Sequence, residues 1–149
     1  MKTLKLMGAA MLLTGILMTS CKKFDDGGKI KKAEKNIKNT WKLEAYDVGG
    51  TAVTSDLLIQ SFTEVYNEDG SYIRTYSDSA GAAFSDTGTW ALTSDNLMVN
   101  LNGVGGMMIT DSITVDTISS VTILQLEKDE FKYSFSDNGL IHTISLDLD

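Results

Sequence analysis

Proline is absent from this chain, and cysteine and histidine occur once each. Without proline, reversals of direction fall to glycine, asparagine and aspartate, which accept positive φ or bond their own backbone. A single cysteine, Cys21, cannot close an internal disulfide. One histidine, His142, is too few for zinc, whose sites draw on clusters of His and Cys. A serine triad would need His142 plus a nucleophile elbow, and no Gly-x-Ser-x-Gly occurs. Calcium would find no Asp-x-Asp-x-Asp-Gly loop. Gly103-Val104-Gly105-Gly106 lacks the Lys-Ser/Thr of a phosphate loop and runs into Met107-Met108, so it reads as a pliable apolar loop. The expectation is a protein that is not an enzyme and holds no cofactor or metal.

Apolar residues make up 42% of the chain, an ordinary share that excludes both a disordered chain and a membrane-spanning one. Charge is unevenly spread. Residues 22–39 carry seven lysines against Asp25, Asp26 and Glu34, a net of +4. From Trp41 onward Lys42, Arg74, Lys128 and Lys132 face seventeen acids, a net of −13. A body so acidic repels phosphate backbones, which argues against nucleic-acid partners; it also keeps the protein soluble.

The N-terminus carries the most specific pattern. Lys2 and Lys5 flank a short basic start, and residues 6–18 form a thirteen-residue apolar run. About twenty residues are needed to cross the hydrocarbon core, so this run suits the apolar region of a signal peptide. It ends in Leu17-Met18-Thr19-Ser20-Cys21, which resembles a lipobox with Met18 where leucine is more usual. The resemblance implies cleavage before Cys21, lipidation of its thiol and anchoring to a membrane through acyl chains. Lys22-Lys23-Phe24-Asp25-Asp26 is similar to the export signal of surface lipoproteins in Bacteroidota, and with Gly27-Gly28 it also suits a plain flexible tether. Residues 1–21 are thus expected to be a lipoprotein signal ending in the lipidated cysteine, 22–28 a tether, and 29–149 one domain.

Within that domain Ile30, Ala33, Ile37 and Trp41 recur at helical spacing, with Glu34 four before Lys38. This predicts a short amphipathic helix over 29–39, either resting its lysines on anionic headgroups or closing one end of the domain. Two-residue alternation then predicts strands over 41–48, 60–67, 71–77, 86–92, 96–101, 109–117, 119–127, 130–136 and 140–148. Between them lie turn signals, among them Glu68-Asp69-Gly70, Ser94-Asp95-Asn96, Lys128-Asp129 and Asp137-Asn138-Gly139. An antiparallel meander of eight or nine strands with no helix to cover a face removes its edges by closing into a barrel. Trp41 and Trp90 are expected in its core.

Trp41, the Tyr66-Asn67-Glu68-Asp69-Gly70-Ser71-Tyr72 hairpin, Gly88-Thr89-Trp90, Asp95-Asn96-Leu97 and the segment 124–135 together resemble the lipocalin-like lipoproteins of Bacteroidota. The resemblance covers roughly residues 39–148. It implies a small up-and-down barrel with an outer-membrane address, on either face, and no settled activity. Gly88-x-Trp90 is similar to the lipocalin signature, but it falls on about the fourth strand instead of the first.

Alternation puts Leu140, His142, Ile144, Leu146 and Leu148 on one face of the last strand, with His142 either a bonded core residue or one at the barrel rim. A three-residue connection ending in Gly70 would pair Tyr66 with Tyr72, Glu64 with Arg74 and Phe62 with Tyr76. Two readings follow. Arg74 and Tyr76 could receive the carboxylate of an amphipathic ligand, as Arg-x-Tyr does in fatty-acid carriers, with Glu64, Tyr66, Tyr72 and His142 around it. Alternatively Glu64 neutralises Arg74 and the aromatics fill the core. The first makes the chain a small-ligand carrier; the second makes it a structural module meeting a protein or glycan partner.

Overall fold

The structure, a computed structural model, describes residues 29–149. The signal peptide, Cys21 and the tether to residue 28 lie outside the described residues.

Helix α1 (Lys29–Ile37) stops two residues short of the expected end, where Asn39 donates its side-chain amide to the Asn36 carbonyl at 2.7 Å. Its buried face is Ala33 and Ile37, and Glu34 pairs with Lys38 at 2.9 Å on the outside. Trp41, fully buried at the start of β1 (Thr40–Val48), donates its indole N–H to the Ile37 carbonyl at 3.0 Å. The helix therefore closes one end of the domain.

The remaining elements are β2 (Thr51–Ala52), β3 (Ile59–Tyr66), β4 (Ser71–Asp78), β5 (Ala83–Leu92), β6 (Met98–Asn102), β7 (Met107–Thr110), β8 (Ile113–Val115), β9 (Ser120–Leu126), β10 (Glu130–Asp137) and β11 (Leu140–Leu148). Strands β1, β3, β4, β5, β6, β9, β10 and β11 pair in that order, and β11 returns to β1. The result is a closed antiparallel barrel of eight strands, with β2 added beside β1 as the ninth strand of the sheet. Closure leaves no long open edge. Asn96 and Asn138 take positive φ in the expected turns.

Two expectations need correction. Residues 109–117 do not form one barrel strand. They supply the end of β7 and all of β8, a separate hairpin turning at Asp111-Ser112, where the Ser112 amide donates to Thr110 Oγ1 at 3.3 Å. Its buried residues, Met107, Ile109 and Val115, cover the barrel mouth opposite α1, and the Leu58 amide donates to the Ile109 carbonyl at 2.9 Å. The hairpin has an apolar underside to bury, so its alternation resembles that of a barrel strand. The second correction concerns β3. Tyr66 pairs with Tyr72 and Glu64 with Arg74 as expected, but Phe62 does not meet Tyr76. Ser61 adopts φ 52°, and β3 takes up one extra residue between Gln60 and Thr63. Phe62 still packs in the core, while Tyr76 sits half-buried at the mouth.

Both tryptophans are buried. Trp90 donates its indole N–H to the Asn67 carbonyl at 3.0 Å. Gly88, two residues before it, lies where β5 and β6 nearly touch: a Cβ there would come 1.9 Å from the Asn102 carbonyl oxygen. The Gly88-Thr89-Trp90 motif thus works as a packing device on the barrel's fourth strand.

Candidate functional site

Inward-facing residues form layers between the helix end and the mouth. Near α1 they are aromatic: Trp41, Tyr66, Trp90 and Phe131, with Tyr66 5.8 Å from both Trp90 and Phe131 between ring centres. The next layer is polar. Glu64 is buried, and its Oε1 accepts from Tyr72 at 2.6 Å and from Tyr133 at 2.9 Å, while Oε2 accepts from Tyr66 at 3.0 Å. These bonds tie β3, β4 and β10 across the interior. Burial pushes the Glu64 carboxyl above its ordinary value, against the pull of the three phenols and Arg74. It pushes the three phenols up as well, and the Glu64 charge adds to the rise.

Arg74 lies in the layer beyond and is fully buried. Its partner is Asp86, directly opposite on β5, which accepts from Nε at 3.0 Å and from Nη2. Nη2 also donates to the Gly105 carbonyl at 2.7 Å, and Nη1 has no hydrogen-bond partner among the described residues. Burial works against the guanidinium charge; Tyr72, Asp86 and Glu64 more than offset it, and the group is held above its ordinary value. Sequence reasoning paired Arg74 with Glu64 alone. The register is right, but three phenols take the Glu64 oxygens, so the ion-pair partner comes from the other flanking strand. Arg74 and Asp86 are twelve apart on two alternating strands, and extending the register one strand further would have found the pair.

His142 lies at the same end, stacked on Phe135 with ring centres 4.9 Å apart and planes 7° apart. Its Nδ1 shares a 3.0 Å hydrogen bond with Tyr46 Oη. Burial lowers its pKa against the opposing field of Asp137, so the neutral ring is favoured. Ile144 and Leu146 lie on its face and are buried, whereas Leu140 and Leu148 at the strand ends are exposed.

Above Arg74 the mouth holds a cleft of about 660 Å³ between the β4–β5 turn and the β7–β8 hairpin. Leu58, Ile59, Tyr76, Phe84, Met107, Met108 and Val115 supply its apolar walls, and Asp78 and Asp116 its charges. Tyr76 and Phe84 stack at 5.1 Å, and the Arg74 guanidinium carbon lies 5.8 Å from the Tyr76 ring centre. Gly106 seats the hairpin: a Cβ there would meet the Val115 and Asp116 carbonyl oxygens at 2.3 and 2.4 Å. Grooves of about 540 and 600 Å³ flank α1, but polar and charged side chains such as Glu34, Lys38 and Glu68 line most of them.

Of the residues singled out from sequence, Glu64, Tyr66 and Tyr72 form one bonded cluster. Arg74 adjoins it and His142 stands apart with Tyr46. Only Tyr76 lines the cleft. Reasoning from sequence missed Asp86, Tyr133, Phe84 and the hairpin. Among the described residues no group of His, Cys, Asp and Glu is placed to hold a metal ion.

No protein-family model matches the chain, and no curated protein matches it. Among solved structures, the fold is similar to the crystal structure of a lipocalin-like protein from Bacteroides uniformis. The TM-score is 0.51 at 9% identity, over 76% of this chain and 99% of the other. The domain therefore has a lipocalin-like fold: all-β, a closed antiparallel barrel with one short helix.

Proposed function

We propose that the protein is a cell-envelope lipoprotein, anchored to the outer membrane through Cys21, that binds a small apolar or amphipathic molecule and catalyses no reaction. The observation that carries the binding reading is the mouth cleft. A hollow of several hundred Å³ with apolar walls and a few polar groups has the size and character of ligand sites generally. The reading moves the ligand from the barrel centre, where the sequence suggested it, to the mouth. The centre is spanned by the Glu64–tyrosine bonds, and Arg74 is committed to Asp86 and Gly105. The lipocalin-like fold supports a carrier in general terms, and the lipobox-like Leu17-Met18-Thr19-Ser20-Cys21 supports the anchor.

Titration with a neutral fluorescent apolar probe such as N-phenyl-1-naphthylamine tests the reading. The expected result is saturable binding near one probe per chain. Tyr76→Ser should weaken it by about tenfold, the scale of one lost aromatic contact. A second reading draws on the filled centre: a rigid module whose outer surface meets a protein or glycan. An eight-stranded barrel is just wide enough for side chains to fill, and this reading requires that wild type show no saturable probe binding.

A further inference from the structure

The cleft's charges point to the class of ligand. Resting on the reading of the mouth as a ligand site, we infer that its ligand is cationic: an apolar or aromatic molecule bearing a positively charged nitrogen. The acidic side chains lining the cleft are Asp78 and Asp116, and among the described residues no lysine or arginine lines it. Further acids lie toward the mouth end of the barrel. Asp47 is next to last in β1, Asp56 lies in the turn before β3, Asp111 is at the hairpin tip and Asp137 ends β10. Lys32 and Lys35 are on α1, Lys38 follows it, and Lys42, Lys128 and Lys132 lie toward the same end, so these cations are gathered away from the mouth, among acids such as Glu34, Glu68 and Asp129. His142 favours its neutral form. The one cation beneath the cleft, Arg74, is fully buried and does not line it; Asp86 balances its charge, with Glu64 behind. An anionic head entering the mouth would therefore meet net negative potential, and the neutralised guanidinium would offer little in return.

A cation gains twice. Asp116 is exposed at the rim, and the Oδ1 of Asp78 accepts from the Ala80 and Ala82 amides at 2.9 and 2.8 Å. Phe84, 45% exposed and stacked on Tyr76, offers an aromatic surface, which attracts cations through the ring quadrupole. Met107 and Met108 supply polarizable contacts to an apolar tail.

The test holds the tail constant and changes the head. Octyltrimethylammonium, octanol and octyl sulfate are each used to displace N-phenyl-1-naphthylamine from the purified full chain. The cation should displace the probe at about one-tenth of the concentration octyl sulfate requires, with octanol between them. Raising salt to about 0.5 M should narrow the gap, because partly exposed charges are screened. Asp116→Asn should reduce the preference, and Asp78→Asn with Asp116→Asn should bring it near one, with a melt confirming that each variant is folded. Octyl sulfate matching or outdoing the cation overturns the inference; so does an undiminished preference in the folded double variant. If octanol displaces the probe in either case, the ligand site survives and only its charge class fails. If the probe does not bind wild type, the site and the inference fall together.

Discussion

Glu64 is held by opposing forces: three phenols donate to its carboxyl, yet the site shuts out water. Desolvation prevails, so its folded-state pKa lies above the ordinary 4.5. A raised carboxyl pKa contributes stability that is fully present below the unfolded value and lost as pH rises through the folded one. His142 has the opposite sign. Its folded pKa lies below the ordinary 6.5, so its contribution is present above that value and lost as pH falls through the folded one. Glu64→Gln should therefore remove a decline in stability that wild type shows as pH rises above 4.5, and leave the histidine limb intact. Urea midpoints across pH 4 to 8 check this, and parallel curves for the two proteins would contradict it. For Arg74, truncation strands Asp86 more than Glu64. Arg74→Met should cost toward the lower end of about 3–5 kcal/mol, since a partner's removal leaves a charge unpaired and Asp86 still reaches some water. Adding Asp86→Asn should restore more of the loss than adding Glu64→Gln, as a double-mutant cycle in denaturant would measure.

Strands with polar turns between them were legible because alternation and Asn, Asp and Gly signals act locally. Residues 71–77, 130–136 and 140–148 fall inside β4, β10 and β11. The helix was legible from its spacing. What escaped were features set by distant partners. The extra residue at Ser61, which separates Phe62 from Tyr76, responds to curvature of the closed sheet and leaves no mark in a two-residue alternation. The β7–β8 hairpin has a buried face of its own, so its period cannot say whether it joins the barrel or covers it. The candidate site was half legible for the same reason: the β3–β4 register brought out Glu64, Tyr66, Tyr72 and Arg74, while Asp86 and Tyr133 needed the neighbouring strands. Gly88 offers a test of this packing. A methyl group there would collide with the Asn102 carbonyl, and that atom is backbone, which cannot turn aside. Gly88→Ala should destabilise the domain by about 1–3 kcal/mol, the scale of overpacking. Trp90→Ala should destabilise it by about 3–5 kcal/mol. A Gly88→Ala protein melting with wild type would mean that β5 and β6 lie further apart.

Across the whole molecule, architecture and the placement of the lysines divide along the same axis. The helix and the lysines beside it mark one end; the acidic, apolar mouth marks the other. The chain enters the domain at the helix end, so an anchor at Cys21 would hold that end toward the membrane. Seven residues separate Cys21 from α1, and their extended reach is at most about 25 Å. The mouth would then face away from the bilayer, open to molecules arriving from the aqueous side. All of this depends on the anchor, and the anchor depends on one atom. The thiol of Cys21 is the only cysteine sulfur in the chain, and a hydroxyl does not replace it as the acceptor of the diacylglyceryl group. Cys21→Ser should therefore block lipidation, leave the signal peptide uncleaved and give a heavier chain without acyl groups. Cells fed an alkyne-bearing fatty acid would show it: wild type should take up the label and fractionate with the outer membrane, while Cys21→Ser takes up none. Equal labelling of the two would remove the lipid anchor and the orientation that follows from it, and leave the mouth cleft to be judged on its own binding.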